Sequence, residues 1–180
     1  MERNSEERAR RAEALCAAGL WPEVLAFAQD WQEEDRRDHR AYYYIGLGLR
    51  GMGQPAQAET AFRRALTMDP TDFDIWRQLA ALLSKNLRRP ADGMRALKQA
   101  LKINPQHKLG WLQLATLAAD AGNHLQALEC AEQAIALDPK LVEAYLRKAA
   151  AARALGRSKL VKDVCRQLAG IEPEYFRRAS

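Results

Sequence analysis

Histidine and cysteine are the residues of this chain that could hold a metal ion or act as catalytic base and nucleophile. The chain has three histidines, His39, His107 and His124, and all of them fall in predicted turns or at the boundaries of predicted elements. Nothing in the spacing places a histidine near a cysteine or a pair of carboxylates, as a metal or catalytic site would need. Loop histidines are therefore the better interpretation, and the sequence predicts no metal and no cofactor.

The three cysteines, Cys16, Cys130 and Cys165, are an odd number, so they cannot all pair within one chain. Their separations match no metal-binding motif. Each lies inside a helical pattern, where a free cysteine commonly packs as a small hydrophobic residue. We therefore expect reduced thiols in a cytoplasmic protein. No apolar run approaches the roughly 18 residues that a membrane span needs, and the first residues lack the apolar region of a secretory signal.

A glycine-rich segment over residues 46–53, GLGLRGMG, is the remaining candidate for chemistry, because glycine-rich loops can cradle phosphate groups. Such a loop follows a strand and opens a helix. This segment lies within and at the end of a predicted helix instead. The sequence therefore contains no credible catalytic constellation, and we expect a protein that is not an enzyme.

The elements of this chain follow a repeat with a period of 34 residues, clearest over residues 39–72. Counted from His39, an aromatic residue stands at position 4, small residues at 8 and 20, an apolar residue at 24, alanine at 27 and proline at 32. The same kinds of residue return from Trp76 to Pro105, from Trp111 to Pro139 and from Tyr145 to Pro173. A period of this length predicts stacked pairs of helices, in which each pair buries its apolar face against its neighbours.

This pattern resembles the tetratricopeptide repeat (TPR) family over nearly the whole chain. The resemblance implies an all-α fold, a right-handed superhelical solenoid of about five helix–turn–helix repeats with a short C-terminal tail. We expect a single domain over residues 1–180 with a degenerate first repeat, 5–38, then 39–72, 73–107, 108–141 and 142–175, and a tail, 176–180. Trp31 of the first repeat is expected to pack against the second. The third repeat is one residue longer, and we expect the extra residue in the turn over residues 85–89.

In TPR proteins the first helix of each repeat lines a concave groove, mainly through positions 2, 5, 6, 9 and 12. The resemblance therefore implies a peptide-binding groove on this chain, with aromatic and apolar anchors, arginines for carboxylates and glutamines for backbone amides. An ordinary solvated groove with no dedicated ligand is the alternative. The predicted groove residues are Arg40, Tyr43, Tyr44, Leu47, Arg50, Arg77, Gln78, Leu112, Gln113, Thr116, Arg147 and Arg153.

Some TPR co-chaperones grip a C-terminal carboxylate with lysine, asparagine and arginine at fixed groove positions. The matching positions here, counted from the second repeat, hold Tyr43, Leu47, Gln78, Leu109 and Gln113, with no charge among them. Counted from the third repeat, they hold Arg77, Ala81, Gln113, Glu143 and Arg147, which adds an acid. The sequence therefore argues against this carboxylate clamp.

The formal net charge of +5 is unevenly distributed, since residues 1–38 are net acidic while 73–107 and 142–180 are net basic. The leading hypothesis is a non-enzymatic adaptor, assembly factor or chaperone that binds a protein or peptide, with an acidic partner favoured by the basic patches. The alternative is self-assembly, in which the acidic first repeat of one copy meets the basic fifth repeat of another. Nucleic-acid binding is the weaker third hypothesis, because no continuous basic stripe is evident. The sequence does not name the partner.

Overall fold

The computed structural model describes residues 2–171, and within that range every regular element is helical. The chain divides into two compact units, Met1–Ile103 and Asn104–Ser180. Unit 1 contains α1 (Glu2–Ala17), α2 (Trp21–Glu34), α3 (His39–Gly51), α4 (Pro55–Met68), α5 (Phe73–Ala81) and α6 (Pro90–Ile103). Unit 2 contains α7 (Lys108–Asp120), α8 (His124–Leu137), α9 (Val142–Ala154) and α10 (Ser158–Ile171). The predicted tail, 176–180, lies outside the described residues.

Each helix packs against the next helix within its own unit, so the elementary piece is a helical hairpin. The first helix of one hairpin also contacts the first helix of the next, as α1 does with α3 and α7 with α9. These contacts bring α1 beside α3 and α7 beside α9. The division of the chain into one domain of five repeats stays a prediction.

Local signals explain where the helices begin. Asp38 and Asp72 cap α3 and α5, because their side chains accept hydrogen bonds from the backbone N–H groups of Arg40 and Ile75 at 3.0 and 3.1 Å. Proline opens α4 and α6, where its missing N–H would have had no helical partner. A side-chain acceptor or a proline at the first turn removes part of the cost of ending the hydrogen-bond ladder.

The turn inside a hairpin is made by a glycine in the left-handed region in four cases. Gly19, Gly53, Gly122 and Gly156 have φ angles between 71° and 76°. The turn of the α5–α6 hairpin differs, because α5 continues as a π-helix, Leu82–Asn86, and Arg88 takes the positive φ of 52°. The π-helix therefore takes up the extra residue. It begins at residue 82, three residues before the predicted turn, 85–89.

The core consists of small and branched apolar side chains on the facing sides of the hairpins. Phe62, Leu79 and Leu97 are at most 1% exposed. Trp31 is 2% exposed and stacks on Tyr44 of α3, with ring centroids 5.9 Å apart, so the prediction that it packs against the following hairpin is confirmed. No helix within residues 2–171 combines the length and the apolar character that a bilayer span requires.

Candidate peptide-binding face

A cleft of about 410 Å³ opens in unit 1 along the side where α1, α3 and the start of α5 lie together. Four of its lining residues belong to the predicted groove: Arg40, Tyr43, Tyr44 and Leu47, all on α3. The remaining lining residues are Ala9, Glu13 and Cys16 on α1, the α5 cap Asp72, and Asp74. Four of the five positions predicted from the second repeat therefore line one concavity, and the fifth, Arg50, does not.

The α1 residues of this cleft were missing from the predicted set, although the sequence carried a signal for them. Counted from Ser5, the residues Ala9, Glu13 and Cys16 occupy positions 5, 9 and 12 of the degenerate first repeat. These are the same groove positions that identify Tyr43, Leu47 and Arg50 in the second repeat. Applying the positional rule to the degenerate repeat as well would have found them.

The two tyrosines of the cleft are held in fixed positions by their ring contacts. Their ring centroids are 5.1 Å apart in an edge-to-face arrangement, and Tyr44 is only 4% exposed. The Tyr44 hydroxyl donates a 3.4 Å hydrogen bond to Glu13, and burial together with the Glu13 charge raises the pKa of Tyr44. Leu47 is 7% exposed, so Tyr44 and Leu47 present only their edges, and Tyr43 presents the larger accessible surface.

Beside the cleft, three further predicted residues form a polar cluster between α3 and α5. Arg50 donates a hydrogen bond to the Gln78 side-chain oxygen, and Arg77 forms an ion pair with Asp74 at 2.9 Å. Among the side chains described, those of residues 4–171, Arg50 has no carboxylate partner. Burial lowers the pKa of Arg50, and the nearby Arg77 charge acts in the same direction. Arg50 is therefore a half-buried cation whose charge is not neutralised by its neighbours.

The other predicted residues lie in unit 2, on α7 and α9. Leu112, Gln113 and Thr116 are half-buried on α7, and the Thr116 hydroxyl donates a 3.0 Å hydrogen bond to the Leu112 carbonyl. Arg147 and Arg153 are exposed on α9. Two exposed leucines accompany them, Leu109 at 53% and Leu146 at 40%. A single groove that runs along both units stays a prediction.

The interpretation of His39 from the sequence needs correction. Its Nε2 atom lies 3.5 Å from the Asp72 carboxylate and 3.7 Å from the Asp69 carboxylate, whereas we had expected no histidine near a pair of carboxylates. The reason is that the loop after α4 folds back onto the start of α3, which brings together residues about 30 positions apart. The Asp72 carboxylate and, more weakly, the Asp69 carboxylate raise the pKa of His39.

Comparison with known families finds two matches, both described as tetratricopeptide repeat. One covers residues 39–82 and the other residues 110–141. A search of curated proteins finds no match for this chain.

Solved structures give more extensive matches. A crystal structure of MamA superposes with a TM-score of 0.81 at 17% identity, covering 98% of this chain and 96% of that one. MamA 41-end from Desulfovibrio magneticus RS-1 has a TM-score of 0.76 at 16% identity, covering 97% of both chains. YrrB, a TPR protein with an unusual peptide-binding site, has a TM-score of 0.76 at 21% identity, covering 92% and 84%. At these identities the likeness concerns the fold, and the expected all-α repeat solenoid is confirmed.

Proposed function

Because this chain is a tetratricopeptide repeat protein, we propose that it is a non-enzymatic module that binds a peptide segment of a partner protein on its odd-numbered helices. The cleft of unit 1 carries the proposal, since it combines the accessible ring of Tyr43 with the uncompensated charge of Arg50 beside it. Aromatic and arginine side chains in a concave, partly desolvated surface are the usual anchors of protein–protein binding. YrrB, which has this fold, is described as having a peptide-binding site.

The charge of the predicted face favours an acidic segment in the partner. Arg50 in unit 1 and Arg147 and Arg153 in unit 2 have no carboxylate partner among the side chains of residues 4–171. A carboxylate that approaches Arg50 would add the attraction between opposite charges, and a bidentate geometry, to the hydrogen bond that the neutral Gln78 amide oxygen accepts from it. The role is that of an adaptor, assembly factor or chaperone, and we expect it to operate in the cytoplasm, where the three cysteines would stay reduced.

The test begins with capture of partners by the full chain from its source cell, followed by binding measurements with each purified partner. Arg50→Gln removes the uncompensated charge and keeps a side chain that can still bond to Gln78. We expect it to weaken partner binding at least tenfold, which corresponds to about 1.4 kcal/mol. The matched control is Arg166→Gln on α10, where the side chain is 79% exposed and pairs with Asp163.

Partner binding that survives Arg50→Gln unchanged, with Arg147→Gln and Arg153→Gln also without effect, would exclude the proposed face. Self-assembly would appear differently. Light scattering would then detect a concentration-dependent oligomer of the wild-type chain that dissociates as salt is added, because salt screens charge contacts between copies.

A further inference from the structure

The loop between α4 and α5 brings two carboxylates to the first residue of α3. The Nε2 atom of His39 and one carboxylate oxygen from each of Asp69 and Asp72 all lie within 4.8 Å of one another. The His39 Nε2 atom is 3.7 Å from Asp69 Oδ2 and 3.5 Å from Asp72 Oδ2. The three side chains are between 25% and 33% exposed, so the cluster is partly shielded from solvent but open on one side.

Both carboxylates are held in place by their other oxygen. Asp69 Oδ1 accepts hydrogen bonds from the backbone N–H and the hydroxyl of Thr71 at 2.9 and 2.7 Å. Asp72 Oδ1 accepts the backbone N–H of Ile75 at 3.1 Å as the cap of α5. The Oδ2 atoms are thus oriented toward His39 by bonds that do not involve it. Supporting bonds of this kind fix the ligands in metal sites.

The two separations from the His39 Nε2 atom suit ligand atoms around a metal ion better than a direct hydrogen bond. An N–H···O hydrogen bond spans about 2.7–3.2 Å, and both distances from His39 Nε2 exceed this range. With metal–ligand bonds of about 2.0–2.2 Å, ligand atoms around a tetrahedral zinc ion are roughly 3.4 Å apart. The observed 3.5 and 3.7 Å lie within a few tenths of an ångström of that spacing.

The corresponding place in unit 2 contains a lysine, a positively charged group that this cluster lacks. Lys108, the first residue of α7, approaches Asp138 Oδ2 at 2.6 Å, and Asp138 Oδ1 accepts the Lys140 N–H at 3.0 Å. Lys108 is the first residue of its repeat, as His39 is of the second repeat. Asp138 follows Lys108 by 30 residues, as Asp69 follows His39. Unit 2 therefore sets one ammonium group against one carboxylate in direct contact.

Unit 1 has an excess of negative charge at the same place. Two carboxylates, Asp69 and Asp72, face one imidazole, and no lysine or arginine whose side chain is described, over residues 4–171, forms an ion pair with either of them. A divalent cation would supply the positive charge that Lys108 supplies in unit 2. The nearby ends of α3 and α5 carry about half a positive charge each, which two full carboxylate charges exceed.

We propose that His39, Asp69 and Asp72 form a binding site for a divalent transition-metal ion, with zinc as the representative. Imidazole nitrogen combined with carboxylate oxygen suits zinc and its first-row neighbours, whereas calcium and magnesium prefer oxygen ligands alone. Three protein ligands leave at least one coordination position for water. A bound ion would tie the start of α3 to the loop before α5. The metal site can be tested separately from the proposed peptide-binding face, because metal binding needs no partner protein.

The experiment is calorimetric titration of zinc chloride into the full reduced chain in a non-chelating buffer near pH 7.5. Wild-type protein should bind one equivalent at this site, and binding should raise its melting temperature because the ion stabilises the folded state. His39→Lys places a lysine where unit 2 has Lys108. This variant should bind zinc at least tenfold more weakly. Asp72→Asn keeps a good helix cap but removes a charged ligand, and it should also weaken binding at least tenfold.

Both variants retain all three cysteines, His107 and His124, so zinc held elsewhere would bind them as it binds wild type. A ¹⁵N-resolved spectrum of the histidine rings adds a direct readout, since zinc should shift the Nε2 resonance of His39. The proposal is overturned if wild-type protein binds no zinc, if His39→Lys binds it with unchanged affinity and stoichiometry, or if the shifted resonance belongs to another histidine.

Discussion

The α3–α4 and α5–α6 hairpins of unit 1 reach the same type of packing through different turns. In the first hairpin, Gly53 takes a φ of 73°, and the Gln54 N–H bonds to the Leu49 carbonyl five residues earlier at 2.8 Å. In the second, the Arg89 N–H bonds to the Leu83 carbonyl six residues earlier, also at 2.8 Å. The π-helix thus widens the end of the helix by one residue, and the closing bond remains intact.

The two turns also differ in the residue that adopts the left-handed conformation. The first hairpin supplies glycine, which has no Cβ and adopts positive φ at little cost. The second supplies Arg88, whose Cβ makes the same conformation unfavourable by roughly 1–2 kcal/mol. The longer turn therefore keeps the helix packing. Its backbone strain lies at one exposed residue, Arg88.

The largest expected effect concerns the apolar residue at the same repeat position in the two hairpins. Phe62 and Leu97 are both fully buried. We expect Phe62→Ala to lower the free energy of unfolding by about 3–5 kcal/mol and Leu97→Ala by about 2–4 kcal/mol, because the larger side chain leaves the larger cavity. Urea unfolding monitored by circular dichroism measures both. A smaller loss for Phe62→Ala than for Leu97→Ala would mean that the first hairpin collapses around the cavity.

The next effect concerns a glycine that each hairpin places where helices approach closely. A Cβ on Gly46 would lie 2.5 Å from the Phe62 ring, whereas one on Gly93 would lie 2.9 Å from the backbone carbonyl of Ala80. Each alanine substitution should cost about 1–3 kcal/mol of unfolding free energy by overpacking.

The rescue experiment separates the two glycines. Phe62→Leu should recover part of the loss caused by Gly46→Ala, because it withdraws the ring atoms that the new methyl group meets. For Gly93→Ala, the change Ser84→Gly should give little recovery, because the Ala80 carbonyl remains in the way. A double-mutant cycle for each pair measures the coupling. Equal coupling in the two pairs would contradict this distinction.

The 34-residue spacing was enough to predict the helices, because each core position is set by local periodicity and by the need to stack. The groove positions implied by the resemblance to TPR proteins, applied in the same register, also led to Tyr43, Arg50 and Gln78. Glu13 was missed because the positional rule was not applied to the degenerate first repeat. The His39 cluster was missed for a different reason. It depends on a loop folding back over about 30 residues, and on carboxylate orientations that only hydrogen bonds within that loop determine.

The two turns make opposite predictions at their left-handed residues. Arg88→Gly should raise the free energy of unfolding by about 1 kcal/mol, since glycine removes the Cβ strain. Gly53→Ala should lower it by about the same amount, because alanine brings that strain into a turn that lacks it. Both are measured by urea unfolding against wild type. A loss of stability in Arg88→Gly would show that contacts of the arginine side chain outweigh the relief of backbone strain.

The smallest expected effect tests whether surface ion pairs help to hold the wider turn. Arg89 pairs with Glu59 on α4 at 2.9 Å and with Asp92 on α6, so it joins the two hairpins across their surface. Because exposed ion pairs contribute little to stability, Arg89→Gln should lower the unfolding free energy by less than the change expected from Arg88→Gly. The control is Arg95→Gln, which removes only a contact to Asp92 within α6 and should have no measurable effect.

The Arg89→Gln loss should shrink further in the presence of Arg88→Gly, because a turn without backbone strain needs less support from its neighbours. A double-mutant cycle at low salt, where surface charges are least screened, gives the coupling between the two residues. Additive effects would mean that the ion pairs link α4 to α6 independently of the strained turn. Coupling would mean that the inserted residue is tolerated partly because Arg89 anchors the segment that follows it.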